Sequence, residues 1–137
     1  KVIYNKDIYK ITMIEGVVKV LDDKNIEFVD ILRRLGMQRN VAKVITYLTV
    51  AGESASREIE RGCDMRQPEV SIAMRTLRRE NWINEHDVKG EGKGRPSKVY
   101  ALSTPVDEII RSIENQKQKK SAEAMESIRK LKELASS

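Results

Sequence analysis

Only three residues, 63–65, separate two segments of this chain that both carry helical apolar spacing, and no other feature narrows the fold as far. Upstream, "SASREIERG" offers Ser54 or Ser56 as a helix cap, an apolar anchor at Ile59 and Gly62 as a stop. Downstream, "RQPEVSIAMRTLRREN" (66–81) places Val70, Ala73, Met74 and Leu77 on one helical face. Ser71, Ile72, Arg75 and Arg79 point the opposite way. Pro68 suits the first turn of this second helix, where its missing N–H costs nothing. A short helix, a tight turn beginning with glycine and a longer helix form the helix-turn-helix unit.

The flanking sequence extends the unit on both sides. Phe28, Ile31, Leu32 and Leu35 are spaced for a helix face that Gly36 closes. "RNVAKVITYLTVAG" repeats the pattern with Val41, Val44, Ile45 and Leu48 before Gly52. Beyond the second helix, "NWINEHDV" and "SKVYALS" read as strands, with Ile83, Val99 and Leu102 turned inward. The basic loop "KGEGKGRP" joins them, and two strands so joined directly after a helix-turn-helix make a wing. Residues 1–25 are rich in β-branched and aromatic types. They fit a hairpin, residues 8–14 pairing with 17–21 around Glu15-Gly16, or a single strand leading into a helix. From Pro105 to about Leu134 an apolar series runs through Val106, Ile109, Ile110 and Ile113, then Ala124, Met125, Ile128, Leu131 and Leu134. The polar interval "NQKQKK" leaves one long helix and two helices equally open. The fold class expected is mainly α with a small β-wing, a winged helix-turn-helix over 26–104. An N-terminal β-hairpin or strand extension (1–25) precedes it and a C-terminal coiled-coil-like helical segment (105–137) follows.

Composition narrows the functions. The 137 residues carry a formal net charge of +5, a tilt toward polyanionic partners. Charged residues make up 34% and aromatics 4%, which suits helices around a small aliphatic core. The single cysteine, Cys63, excludes an internal disulfide and any cysteine-pair metal site, and fits a reducing cytoplasm. No apolar run reaches the ~20 residues that span a bilayer, and no signal-peptide pattern is visible. No catalytic residue, metal site or cofactor is expected. The lone His86 lies in the charged stretch "NEHDVKG" and reads as an exposed polar residue, while Cys63 reads as a small half-buried one rather than a reactive thiol. The glycines of "KGEGKGRP" lack the Lys-Ser/Thr and helix start of a phosphate loop.

Taken together, "LRRLGMQRNVAKVITYL", "SREIERGCDMRQPEVSIAMRTLRRENWI" and "GKGRPSKVYALS" resemble archaeal winged-helix transcription regulators of the TrmB and MarR-like groups, over about residues 28–104. The resemblance implies a sequence-specific regulator that binds double-stranded DNA, is not an enzyme and resides in the cytoplasm on the nucleoid. It puts recognition helix 67–80 in the major groove and wing 89–98 at the minor groove, with Gln67, Ser71, Ile72 and Arg75 at recognition positions and Lys93 and Arg95 at the wing tip.

The residue types fit these places. A major groove about 12 Å wide admits one helix, whose outward side chains reach the base edges. Arg75 suits guanine O6 and N7, Ser71 a base or phosphate, and Ile72 a thymine methyl group. Arg78 and Arg79, near the helix end, suit phosphates. Arg66, Pro68 and Lys98 complete the expected DNA-binding set. In "KGRP", glycine permits close approach to a groove wall, proline keeps the chain extended, and Arg95 between them suits a narrow A·T-rich minor groove. Ile110 and Ile113, with Ile128, Leu131 and Leu134, form the expected homodimer seam, which Lys117 and Lys120 interrupt. Transcription machinery is a further expected partner; a membrane is not. Two rivals remain: an architectural chromatin protein with little base preference, and a winged-helix protein–protein adaptor. The adaptor should carry acidic or apolar residues where this helix carries arginines.

Overall fold

The computed structural model describes residues 20–88 and 97–137. The hairpin expected in residues 8–21 therefore lies outside the described residues except for Val20 and Leu21, which belong to neither strand nor helix. The described residues fall into two compact units, divided between Thr104 and Pro105.

In the first unit, α1 (Asp23–Arg34) begins three residues inside the segment expected as a β extension. A reciprocal cap sets that start: the Asn25 N–H donates to Asp22 Oδ1 at 2.9 Å, and the Asp22 N–H donates to Asn25 Oδ1 at 2.9 Å. The buried residues of α1 are Asn25, Val29 and Leu32. The expected face of Phe28, Ile31, Leu32 and Leu35 is thus rotated, and Ile31 and Leu35 stand exposed. Gly36, at φ 101°, closes the helix, with its N–H bonded to Arg33 O and that of Met37 to Leu32 O. This is the paired arrangement that satisfies a helix's last carbonyls.

Helix α2 (Arg39–Ala51) is the centre of the unit. The expected stripe of Val41, Val44, Ile45 and Leu48 is buried, and so are Ala42, Thr46, Tyr47 and Ala51. The burial is nearly all round because α1 and three later elements pack against this one helix. Its threonine hydroxyls are satisfied within the helix: Thr46 Oγ1 donates to Ala42 O at 2.8 Å and Thr49 Oγ1 to Ile45 O at 2.7 Å.

A two-residue strand that the sequence did not suggest, β1 (Ser54–Ala55), leads into α3 (Ser56–Cys63). Neither serine caps α3. The Ala55 N–H instead donates to Glu58 Oε1 at 3.0 Å. Gly62, the expected stop, is buried inside the helix, and Asp64 takes the left-handed position at φ 53°. The N–H groups of Asp64 and Met65 then bond Arg61 O and Glu60 O. The turn accordingly spans residues 64–66 and is followed by α4 (Gln67–Arg79). Helix α4 ends in the same manner: Asn81, at φ 60°, bonds Arg78 O, and the Trp82 N–H bonds Leu77 O.

Strands β2 (Ile83–Val88) and β3 (Ser97–Leu102) pair antiparallel from Ile83↔Leu102 to Val88↔Ser97. The loop between them, residues 89–96, lies outside the described residues. Lys98 belongs to β3, as the strand reading of "SKVYALS" implies. β1 joins the other edge of β3 through Ser54↔Tyr100 and Ala55↔Val99, giving the order β1-β3-β2. Tyr100, not Val99 or Leu102, is the buried residue of β3. Val99 and Leu102 are three apart and fall on opposite faces of a strand, so they cannot both point inward. Among the described residues, the helices and this three-stranded sheet make a winged helix-turn-helix that is mostly helical.

The second unit is a single helix, α5 (Val106–Ser136), which decides between one helix and two. At ~1.5 Å per residue it is about 46 Å long. Arg129 links Glu126, at 2.6 Å, and Glu133, at 2.5 Å, along its surface.

Candidate nucleic-acid interface

The apolar face of α4 fixes which way the other face looks. Val70, Ala73, Met74 and Leu77 are buried, and Met65 in the turn joins them. At about 25 cal/mol per Å² of apolar surface removed from water, this stripe holds the helix far more firmly than any surface bond. Ser71, Ile72, Arg75, Arg78 and Arg79 are consequently exposed, as the spacing predicts, and Ile72 is 56% exposed.

The start of α4 is built from its own sequence. The Arg66 N–H donates to Glu69 Oε1 at 3.0 Å, which together with nearby positive charge holds the Glu69 carboxyl below the usual carboxylate range. An acid in the first turn also suits the helix dipole. Pro68 occupies the second helical position. Gln67 Nε2 donates to Ser71 Oγ at 2.8 Å, so two expected base-reading groups are already joined one turn apart. Asn40 of α2 reaches the same end, its Nδ2 lying 3.4 Å from Glu69 Oε2.

The four arginines on or next to the exposed face differ in what holds them. Arg75 makes no ion pair or side-chain hydrogen bond among the described residues, and neither does the Arg66 guanidinium. Arg79 Nη2 donates to Thr76 Oγ1 at 3.2 Å on the same helix. Arg78 is committed elsewhere: its Nε donates to Glu85 Oε1 of β2, while Lys98 Nζ of β3 donates to Glu85 Oε2 at 2.9 Å. The Arg78 hydrogen bond, then that of Lys98, pulls the Glu85 carboxyl below its ordinary range, and Glu85 in turn raises both cations. Arg78 and Lys98 are therefore tied to one acid at the base of the wing. The sequence did not single out Glu85. Its only signal was alternation with Ile83, because the cross-strand register that sets it beside Tyr100 depends on the strand pairing. The wing-tip residues Lys93 and Arg95, with Gly94 and Pro96, lie outside the described residues.

Two residues weighed for chemistry are accounted for by packing and surface pairing. Cys63 is buried, its Sγ 3.6 Å from Lys43 O, and burial pushes the thiol up to about 12. The nearby Lys43 ammonium, which itself donates to Cys63 O at 3.3 Å, opposes that only in part. His86 is exposed, with Nε2 2.8 Å from Glu53 Oε1. Among the described residues no group of three or more His, Cys, Asp or Glu side chains is arranged to hold a metal ion. No described helix is long and apolar enough to cross a membrane.

In α5, Ile110, Met125, Ile128, Leu131 and Leu134 are exposed at 43–66%, and Ile113 is half-buried. These residues form an exposed apolar stripe on one helix.

No family model matches the chain, and no curated protein does. Among solved structures it is similar to a protein described as a transcriptional regulator, with 17% identity over 59% of this chain and 56% of that one and a TM-score of 0.49. It is similar to a MarR family transcription regulator, with 18% identity over 69% of this chain and 61% of the other and a TM-score of 0.47. A third similarity is to the S. aureus MepR–DNA complex, at 16% identity over 93% of this chain and 98% of MepR, with a TM-score of 0.45. The chain therefore spans 56% and 61% of the lengths of the first two. Its winged helix-turn-helix architecture stands on its own element order and strand register.

Proposed function

We propose that this chain is a sequence-specific, double-stranded-DNA-binding transcription regulator of the TrmB/MarR-like kind found in archaea, working as a homodimer in the cytoplasm on the nucleoid. Residues 26–104 bind DNA, 105–137 carry the dimer seam and 1–25 form an extension. One observation carries the reading: α4 is pinned by one buried face while Ser71, Ile72 and Arg75, which pairs with no side chain among the described residues, stand together on the other. An exposed isoleucine beside an exposed arginine is poor design for water alone and suits a groove edged with thymine methyl groups and guanine acceptors. Arg66, Gln67 and Pro68 enter first, Arg79 lies toward the backbone, and the wing carries Lys93 and Arg95 to the adjoining minor groove. A helix as long as α5 with an exposed apolar stripe favours a second copy along Ile110, Ile113, Ile128, Leu131 and Leu134. A twofold pair would span half-sites about 34 Å apart.

The test is selection of bound duplexes from a random pool, followed by competition with single-base variants. Arg75→Ala should flatten the preference at one base pair, whereas Arg79→Ala should weaken all sequences alike. Binding without any preference would replace this reading with the architectural one. Absence of duplex binding would leave the protein–protein adaptor.

A further inference from the structure

A second group of arginines lies outside both the recognition helix and the wing. Arg33 and Arg34, in the last turn of α1, and Arg39, the first residue of α2, line an open surface hollow of about 510 Å³ with Asp30, Gly36 and Met37. None of the three guanidinium groups makes an ion pair or side-chain hydrogen bond among the described residues. Asp30 is the one acid in the lining. Arg33 and Arg34 have an ordinary structural use, because cations suit the C-terminal end of a helix. Arg39 has none, since it places a cation in the first turn of α2, where the helix dipole is already positive. That turn also lacks an acid, and Gln38 gives no side-chain cap. The fold thus gathers three arginines against their mutual repulsion and leaves the excess charge facing solvent.

The position of the hollow names the anion. Asn40, next to Arg39, reaches Glu69 in the first turn of α4, so the Arg39 side of the hollow adjoins the end of the recognition helix that leads into the groove. The strands bordering a groove about 12 Å wide carry phosphates along both sides of any helix seated in it. We infer that Arg33, Arg34 and Arg39 form a backbone clamp that grips phosphodiesters beside the major groove, supplying affinity and register but no base preference. This rests on the DNA-binding reading above and adds to it a contact region that neither helix α4 nor the wing provides. Arginine suits the task because its planar fork pairs with phosphate through two parallel hydrogen bonds.

The experiment is a salt titration of duplex binding with the full chain. The combined variant Arg33→Gln, Arg34→Gln, Arg39→Gln is compared with wild type and with Lys119→Gln, Lys130→Gln, Lys132→Gln, which lowers the formal net charge equally, from +5 to +2. The clamp predicts that the log–log salt slope of the arginine variant becomes shallower by about 2–3, at ~0.9 per phosphate contact. Its base preference should be unchanged, and the lysine variant should stay close to wild type. Asp30→Asn should act in the opposite direction and tighten binding. Equal slopes in the arginine and lysine variants, or an arginine variant matching wild type, overturn the clamp while Arg75-dependent preference in wild type keeps the DNA reading intact. A wild-type chain that binds no duplex overturns both.

Discussion

Glu85 holds two cations, Arg78 and Lys98, and removing its charge is the most direct test of how the base of the wing is arranged. Its side chain is 26% exposed, against 45% for Arg78 and 53% for Lys98, so the cluster sits at the surface and is partly screened. Glu85→Gln keeps the shape and drops the charge. The Arg78–Glu85 pair should contribute only about 0.2–1 kcal/mol to folding at this exposure, so the variant stays folded. Because the folded Glu85 carboxyl titrates below its ordinary value, that contribution is present above the usual carboxylate range and disappears as pH falls through the depressed value. Wild type and variant should therefore converge in stability under acid.

On DNA the effect is larger and has the opposite sign. Each freed cation that reaches a phosphate steepens the log–log salt slope by ~0.9, so two add up to ~1.8. Between 50 and 200 mM salt that is about 3.5-fold more affinity lost for one new contact and about 12-fold for two. The variant should bind more tightly than wild type in low salt and lose the advantage as salt rises. Fluorescence anisotropy on one duplex across that range measures it, with Arg78→Ala in the Glu85→Gln background assigning its share. An unchanged slope, or weaker binding at low salt, would refute the idea that Glu85 withholds these cations. The ion-paired wing base would then itself be the DNA-binding form.

Ile72→Ala should leave folding stability within about 0.5 kcal/mol, because the side chain is already in water, yet weaken binding at least about fourfold at ~0.8 kcal/mol per CH₂ buried on DNA; thermal melts paired with binding curves check both. Truncation after Thr104 should leave a chain that sediments as a monomer while the full chain sediments as a dimer, and a truncated dimer would move the interface off α5. Cys63 should resist alkylation at pH 9 in the folded chain and react readily once denaturant is added, since its thiol is pushed up to about 12; mass spectrometry after timed quenching reads this. Asp64→Gly should stabilise the chain by about 0.5–1 kcal/mol in a denaturant melt, because glycine takes the left-handed backbone there without a side-chain penalty.

Much of the plan was legible from local pattern. The apolar face of α4, the stops at Gly36 and Gly52 and the two wing strands all follow from the spacing of side chains along one element and from residues with special backbone freedom. The outward set of Ser71, Ile72 and Arg75 follows from the same arithmetic, since fixing the buried face of a helix fixes its opposite. What failed needed a neighbour. Sequence made α2 a one-sided stripe, but other elements pack around it and bury Thr46 and Tyr47 as well. It gave α1 the face of Ile31 and Leu35, whereas docking turned Val29 and Asn25 inward. It ended α3 at Gly62, which is buried inside the helix, and the turn fell to Asp64. Strand β1, the burial of Tyr100 and the tie of Arg78 and Lys98 to Glu85 all depend on cross-strand register. Periodicity records which side of an element is apolar. Which other element covers that side, and which charges it brings with it, is decided only when the chain closes on itself.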